Sequence, residues 1–259
     1  MSIKFYKYQA TGNDFVMIDD RTNQFDKSDF ELVAKLCDRK FGVGGDGLIL
    51  VRNHDDYDFE MVYFNADGHE GSMCGNGGRA CVRFAHHLGI IGEETKFIAV
   101  DGEHEATVTP EVISLKMIEV HEVEQTSDFY FMDTGSPHYV EFLDTDLQAE
   151  DVVAKGRAVR YNDRFKAKGT NVNFVEKVSD SSLFVRTYER GVEDETLSCG
   201  TGVTACVLAS SYLGYESPVD VKVLGGDIQI SFEKVGVQDF RNIYLTGPAE
   251  RVFEGTMEL

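Results

Sequence analysis

A chain of 259 residues has room for one large or two modest domains, and its 42% hydrophobic content can fill a core, which argues against wholesale disorder. The net charge of −20, from 45 acidic and 25 basic residues, argues against nucleic acid or an anionic membrane as partner, because counterion release needs clustered Lys and Arg. No apolar run approaches the roughly 20 residues of a membrane span, residues 1–8 alternate like a strand rather than a signal peptide, and five cysteines in such a chain read as reduced thiols of the cytoplasm.

In chain order, the first strand runs into Ala10-Thr11-Gly12-Asn13-Asp14-Phe15-Val16, a polar glycine turn between two apolar runs. Ser28-Asp29-Phe30-Glu31 has the form of a capping box and starts a helix with Leu32, Val33, Leu36 and Cys37 on one face. Phe41-Gly42-Val43-Gly44-Gly45-Asp46-Gly47 is a tight loop into strand 48–51; it lacks Gly-Lys-Ser/Thr, so it implies no nucleotide. Strand 59–64 delivers Asn65-Ala66-Asp67-Gly68 and then a helix from Cys74, followed by strands over 96–100, 105–108 and 113–120. The second half repeats the plan. Strand 129–133 leads to Thr134-Gly135-Ser136-Pro137-His138-Tyr139-Val140, which resembles the Thr11 to Val16 segment with one residue added, and a helix is expected around 146–154. Strands 169–175 and 183–188 flank a Ser-Asp-Ser-Ser hairpin turn. Glu189-Arg190-Gly191 approaches a helix from Cys199, two strands joined through Gly225-Gly226 follow, and strands 242–245 and 251–253 end the chain. Many strands, few helices and frequent hairpins predict an α+β fold, mainly antiparallel, rather than strand-helix alternation.

The repeat is sharpest at the cysteines. Cys74-Gly75-Asn76-Gly77-Gly78-Arg79-Ala80-Cys81 returns 125 positions later as Cys199-Gly200-Thr201-Gly202-Val203-Thr204-Ala205-Cys206, and eight of sixteen aligned positions are identical. The simplest architecture is two pseudo-symmetric halves, each a curled sheet wrapped around a central helix that starts at a cysteine. The expected division is 1–119 plus 249–259 with Cys74, and 120–248 with Cys199. Cys74 and Cys81 lie about 10 Å apart along a helix, too far for a disulfide. With no Cys-x-x-Cys and scattered histidines, no metal site is expected.

A cysteine at a helix N-terminus sits beside unsatisfied backbone NH groups and the positive end of the dipole, which lower its pKa. The Gly-x-Gly that follows lets those NH groups approach and hold a carboxylate. One such turn could serve a cysteine hydrolase, a redox sensor or plain structure. Two of them suit inversion of an α-carbon, one thiolate removing a proton from one face and one thiol supplying a proton to the other. The pair would titrate together. Cys81 and Cys206, two turns inside their helices, read as packing residues.

At these residues the sequence resembles the diaminopimelate epimerase family over almost its whole length. The resemblance rests on Gly12-Asn13-Asp14-Phe15-Val16, Asn65-Ala66-Asp67-Gly68 with Cys74-Gly75-Asn76-Gly77, Pro137-His138, Asn171-Val172, and Glu189-Arg190-Gly191 with Thr196 before Cys199-Gly200-Thr201-Gly202. It implies cofactor-independent interconversion of LL- and meso-diaminopimelate, on the route to lysine and cell-wall peptide, with Cys74 and Cys199 as the acid/base pair. It implies substrate binding by Asn13, Asn65, Gly75, Asn76, Asn171, Glu189, Arg190, Gly200 and Thr201, tuning of the thiols by His138 and Glu189, and a homodimer. The planar fork of Arg190 suits a carboxylate.

Three positions depart from the family pattern. Ser136 stands where many members carry Asn, Gly47 where some carry a substrate-binding Gln, and the segment from Glu189 to Cys199 is one residue longer than usual. A proline or hydroxyproline racemase also uses two cysteines, but resembles Cys-Gly-His-Gly where this chain has Asn76. A hydrolase with Cys74 as nucleophile and His138 as base leaves Cys199 without a task. In a binding or thiol-redox protein the glycine turns would only hold a ligand.

Overall fold

The alternation at the start of the chain becomes β1 (Ser2–Ala10), which turns through Thr11 and Gly12, both at positive φ, into β2 (Asn13–Asp19). Then follow α1 (Phe30–Cys37), β3 (Gly47–Arg52), β4 (Glu60–Asn65), α2 (Gly75–His87), β5 (Glu94–Ala99), β6 (Gly102–Val108) and β7 (Ile113–Lys116). The computed structural model describes residues 2–71 and 73–258. It divides into two compact units, Met1–Leu115 with Gly247–Leu259, and Lys116–Thr246.

The second unit holds β8 (Val123–Gln125), β9 (Tyr130–Asp133), β10 (Pro137–Leu143), α3 (Val152–Arg160), β11 (Asn171–Ser179), β12 (Ser182–Glu189), β13 (Asp194–Thr196), α4 (Gly200–Ser210), β14 (Val219–Val223), β15 (Gly226–Lys234) and β16 (Phe240–Gly247). The final strand, β17 (Glu250–Glu258), returns to the first unit and pairs antiparallel with β1.

The pairing senses repeat strand for strand. In the first unit β1–β2 is antiparallel, β2–β3 parallel, β3–β4 antiparallel, β4–β5 parallel, and β5–β6 and β6–β7 antiparallel. In the second, β9–β10 is antiparallel, β10–β11 parallel, β11–β12 antiparallel, β12–β14 parallel, and β14–β15 and β15–β16 antiparallel. β8 lies on β9 as β17 lies on β1. Each parallel pair is joined through a helix, since a parallel connection needs a crossover. The fold is thus α+β, mainly antiparallel, in two pseudo-symmetric halves.

Within each half the sheet is covered on both faces, and strand alternation sorts the side chains. Val16, Ile18, Leu48, Leu50, Val62 and Phe64 pack with Val33, Leu36 and Cys37 of α1. The intervening Ile49 and Met61 come up against Gly77 of α2. β3 is therefore buried at every position, as its Gly-Leu-Ile-Leu-Val-Arg run requires. In the second half, Tyr139, Val172, Phe174 and Phe184 pack with Val152 of α3, while Val140, Val175, Leu183 and Val185 pack with α4. α2 buries every residue from Gly75 through Ala85, and α4 all but Thr201.

Three expectations need correction. The N-cap of α1 is Asp29, whose carboxylate accepts from Leu32 N at 2.9 Å; Ser28, the first residue of the expected box, donates its hydroxyl to Asp26 instead. The helix expected around 146–154 is two elements. Asp146 caps a single 3-10 turn (Leu147–Ala149), and Asp151 then caps α3, which runs on to Arg160. Strand 113–120 stops at Lys116, with Val120 making only an isolated bridge to Phe240.

Candidate active site

Both central helices begin in the same way. Cys74 and Cys199 occupy the N-cap with extended backbones, φ −111° and −124°, and neither side chain caps its own helix. Their carbonyls accept the first helical bonds, from Gly78 N at 2.7 Å and Val203 N at 2.9 Å. The NH groups of Gly75, Asn76, Gly200 and Thr201 thus stand in the first turn, where a helix leaves its donors unsatisfied.

In the first half, Asn13 lies at the start of β2 with its Oδ1 3.7 Å from Cys74 Sγ and 3.4 Å from Asn76 Nδ2. Its Nδ2 donates to Asp46 at 2.6 Å. Asp46 also accepts from Asp14 N and from Arg39, and Arg39 pairs with Asp14 at 2.6 Å. Lys7 from β1 reaches Asp14 at 2.6 Å and donates to the Gly44 carbonyl. Burial works against ionisation of Asp14, yet hydrogen bonds from Arg39 and Lys7 hold its carboxyl down at about 2. A carboxylate acceptor can take only the amide NH2 of Asn13, so the Asn13 oxygen is the atom presented to Cys74.

Arg79 lies wholly buried in α2 and donates to Thr11 Oγ1 at 3.1 Å. Burial pulls its guanidinium down to about 10, and the negative charge of a Cys74 thiolate would oppose that. Asn65 ends β4 and is exposed, its backbone closing the following turn with Gly68 and His69. Gly47 has no room for a side chain: a Cβ there would come within 2.6 Å of both the Phe64 carbonyl and the Tyr63 ring. Tyr63 therefore closes the space beside Gly47.

In the second half the neighbours of Cys199 form a chain of uncharged groups. Thr201 Oγ1 is 3.6 Å from Cys199 Sγ and 2.9 Å from His138 Nε2. Asn173 Nδ2 lies 3.1 Å from His138 Nδ1 and donates to the Tyr139 carbonyl at 2.8 Å, while its Oδ1 accepts from Thr187 at 2.9 Å. Burial, with the charge of Arg190 adding to it, pushes His138 down to about 3, so its imidazole is neutral near pH 7.

Glu189 ends β12 and accepts from Thr196 Oγ1 at 2.8 Å, which ties the β13 return to it. Between Glu189 and Cys199 the chain turns with Gly191 and Glu193 at positive φ. Asn171 is buried, and both ends of its amide have partners. Oδ1 accepts from Arg190 N at 2.8 Å, and Nδ2 donates to Ser136 Oγ at 2.6 Å. Ser136 thus serves as a partner of Asn171 inside this half. Arg190 is exposed, and its guanidinium donates to the Lys168 carbonyl at 3.1 Å.

Sequence reasoning missed Asp46, Arg39, Lys7, Asn173 and Thr187. The one available signal was Asn173, a polar residue between Val172 and Phe174 in a strand buried on both faces. Cys37, Cys81 and Cys206 are buried, and burial pushes all three thiols up, Cys37 to about 12. Among the described residues no three His, Cys, Asp or Glu side chains gather as a metal site would require. None of the described helices is long and apolar enough to cross a membrane.

The fold defines a class first. It is similar to that of a PhzF-family phenazine biosynthesis protein from Bacillus anthracis (TM-score 0.78, 14% identity, 100% of both chains). It is also similar to a probable proline racemase from Agrobacterium radiobacter (TM-score 0.71, 15% identity, 99% of this chain and 93% of that one). At such identities the likeness is one of fold.

Sequence narrows the class. The family described as diaminopimelate epimerase matches residues 5–117 and 130–252. A diaminopimelate epimerase of Flavobacterium psychrophilum is 50% identical over 258 residues, covering 98% of this chain and 100% of the relative. One of Aquifex aeolicus is 40% identical, covering 98% of each. The chain belongs to the diaminopimelate epimerase family, a family of isomerases.

Proposed function

We propose that this protein interconverts LL- and meso-2,6-diaminopimelate by two-base proton transfer between Cys74 and Cys199, without a cofactor, and so serves lysine and cell-wall precursor synthesis. One observation carries the reading: each half places a cysteine, followed by Gly-x-Gly, at the N-cap of its buried central helix. Inversion needs a base on one face of the α-carbon and an acid on the other, and the two thiols supply them in either direction. The first-turn NH groups of Gly75-Asn76 and Gly200-Thr201 hold the reacting carboxylate and stabilise charge that develops as the proton leaves.

Asn13, Asn65, Asn171, Glu189 and Arg190 bind the substrate, with Arg190 offering its planar fork to the distal carboxylate. His138 and Glu189 tune the thiols, His138 through its ring N–H rather than a charge, since it is neutral near pH 7. The working form in this reading is a cytoplasmic homodimer, for which Val252 and Phe253 of β17, 57% and 47% exposed, offer apolar surface.

The test is to incubate the purified, reduced protein, free of pyridoxal phosphate, with LL-diaminopimelate and follow stereochemistry by chiral chromatography. Formation of the meso isomer is expected. No change of configuration would refute the reading, and activity on proline instead would move the chain to the racemase branch. A covalent acyl adduct on Cys74, seen by mass spectrometry, would point to a hydrolase.

A further inference from the structure

The groups behind Cys199 make a chain in which every hydrogen can be assigned. It begins at Thr187, whose hydroxyl donates to Asn173 Oδ1 at 2.9 Å. That leaves the Asn173 NH2 as the end facing the Tyr139 carbonyl, 2.8 Å away, and His138 Nδ1, 3.1 Å away. An amide NH2 has only hydrogens to give, so Nδ1 must be the bare nitrogen and Nε2 must carry the ring hydrogen. Nε2 lies 2.9 Å from Thr201 Oγ1 and donates to it. The Thr201 hydroxyl, now accepting from the ring, has its own hydrogen to give, and Cys199 Sγ is 3.6 Å away.

We propose that Asn173, oriented by Thr187, is a positioning residue that locks His138 as the neutral Nε2–H tautomer and thereby turns the Thr201 hydroxyl hydrogen onto Cys199 sulfur, favouring the thiolate at that cysteine. None of these residues touches the reacting carbon in this account; Asn173 acts through His138 and Thr201. The inference rests on the reading of Cys199 as a proton-transfer group.

Two further features fit. Asn173, His138 and Thr187 are buried, at 0%, 0% and 3% exposure, so water does not reorganise the chain. Gly202 is also explained, because a Cβ there would lie 2.4 Å from Asn173 Oδ1, 3.3 Å from His138 Cε1 and 3.3 Å from Cys199 Sγ. Only glycine lets the asparagine and the histidine close up behind the cysteine. The charged group that acts on His138 is Arg190, and it too opposes protonation of the ring.

The experiment uses the full-length protein without turnover, so its failure is separable from failure of the epimerase reading. Histidine labelled with 15N is observed by long-range 1H–15N correlation, and His138 should be a neutral ring with hydrogen on Nε2 at pH 7. A hydrogen on Nδ1, or an imidazolium, would overturn the proposal. In a Cys74→Ser background, 13Cβ-labelled Cys199 is then titrated alone. Thr201→Val should raise its pKa by about one unit, a tenfold loss of thiolate at fixed pH, and Thr201→Ser should restore it. An unmoved Cys199 in folded Thr201→Val would also overturn the proposal. Asn173→Asp, which can accept but not donate, should move the ring hydrogen to Nδ1 and raise the Cys199 pKa in the same way. Should that variant fail to fold, the wild-type tautomer and the two Thr201 variants still decide.

Discussion

Cys74 and Cys199 cap buried helices with the same Gly-x-Gly turn, yet what surrounds them differs. Asn13 lies directly beside Cys74, and His138 lies behind Cys199 through Thr201. Asn13 is oriented by a carboxylate, Asp46, inside a cluster of two anions and two cations with Asp14, Lys7 and Arg39. His138 is oriented by an amide within an uncharged chain. The helices differ in the same sense: α2 buries Arg79 where α4 has Thr204, whose hydroxyl only returns to the Gly200 carbonyl at 2.9 Å. The repeat therefore keeps the backbone turn, which any acid/base thiol at this position needs, and changes how the group beside the thiol is fixed. Asn13 presents an acceptor to sulfur, and the Thr201–His138 pair presents a donor. The two cysteines share a backbone setting and differ in the side chains that approach the sulfur.

The largest test of that comparison is at the cysteines. Cys74→Ala and Cys199→Ala should each lower the epimerisation rate by about 1,000-fold or more, the scale of a lost general acid or base. A fully active Cys199→Ala enzyme would reduce the second half to scaffold.

Next are the glycines at corresponding positions. A Cβ at Gly202 meets Asn173 Oδ1 at 2.4 Å, and that atom is fixed by its own hydrogen bond. A Cβ at Gly77 comes no closer than 3.3 Å to the tip of Ile49. Alanine gains about 1 kcal/mol of helix propensity at either site, and overpacking costs about 1–3 kcal/mol where the neighbour cannot yield. Gly202→Ala should therefore be destabilised in urea unfolding and Gly77→Ala close to neutral or slightly stabilised. Equal effects would mean the two turns are packed alike.

A third test is in pH. His138 falls from an ordinary 6.5 to about 3 on folding, so between those values the unfolded chain binds a proton that the folded one does not. Stability from this group is complete above 6.5 and declines as pH falls toward 3, by up to about 1.4 kcal/mol per pH unit. Asp14 falls from 3.8 to about 2, so its contribution is complete above the ordinary value and is lost only as pH drops through about 2. Urea unfolding of His138→Gln should lose the slope between pH 6 and 4 that the wild type shows, and Asp14→Asn should keep it. The same slope in both variants would contradict the assignment.

Much of the fold was legible because local pattern and final burial agree. The cysteine repeat located both central helices, and the alternating strands fell into place around them. Helix α3 was misplaced because Asp146 and Asp151 are both competent caps, and only packing against Tyr188, which leaves no room for a Cβ at Gly156, selects the second. In the candidate site, Cys74, Cys199, Asn13 and His138 were legible from the repeat and the flanking motifs. The Lys7, Arg39 and Asp46 cluster was not, since it joins β1, the end of α1 and the loop before β3, which only the parallel pairing of β2 with β3 brings together. The partners of the Asn171 amide, Arg190 N, Ser136 and Pro137, were likewise not legible, since no local spacing reveals them.

The central claim is that two different thiols serve the two faces of one carbon, and the isotopic fate of the α-hydrogen tests it directly. In deuterated solvent, LL-diaminopimelate would be followed at low conversion by mass spectrometry of substrate and product separately. A two-thiol site predicts deuterium in the meso product and protium retained in the recovered LL substrate, because the thiol that protonates one face draws on solvent while the other returns what it took. Product that keeps the substrate's own hydrogen, or deuterium appearing equally in both pools, would mean a single base and would contradict the account.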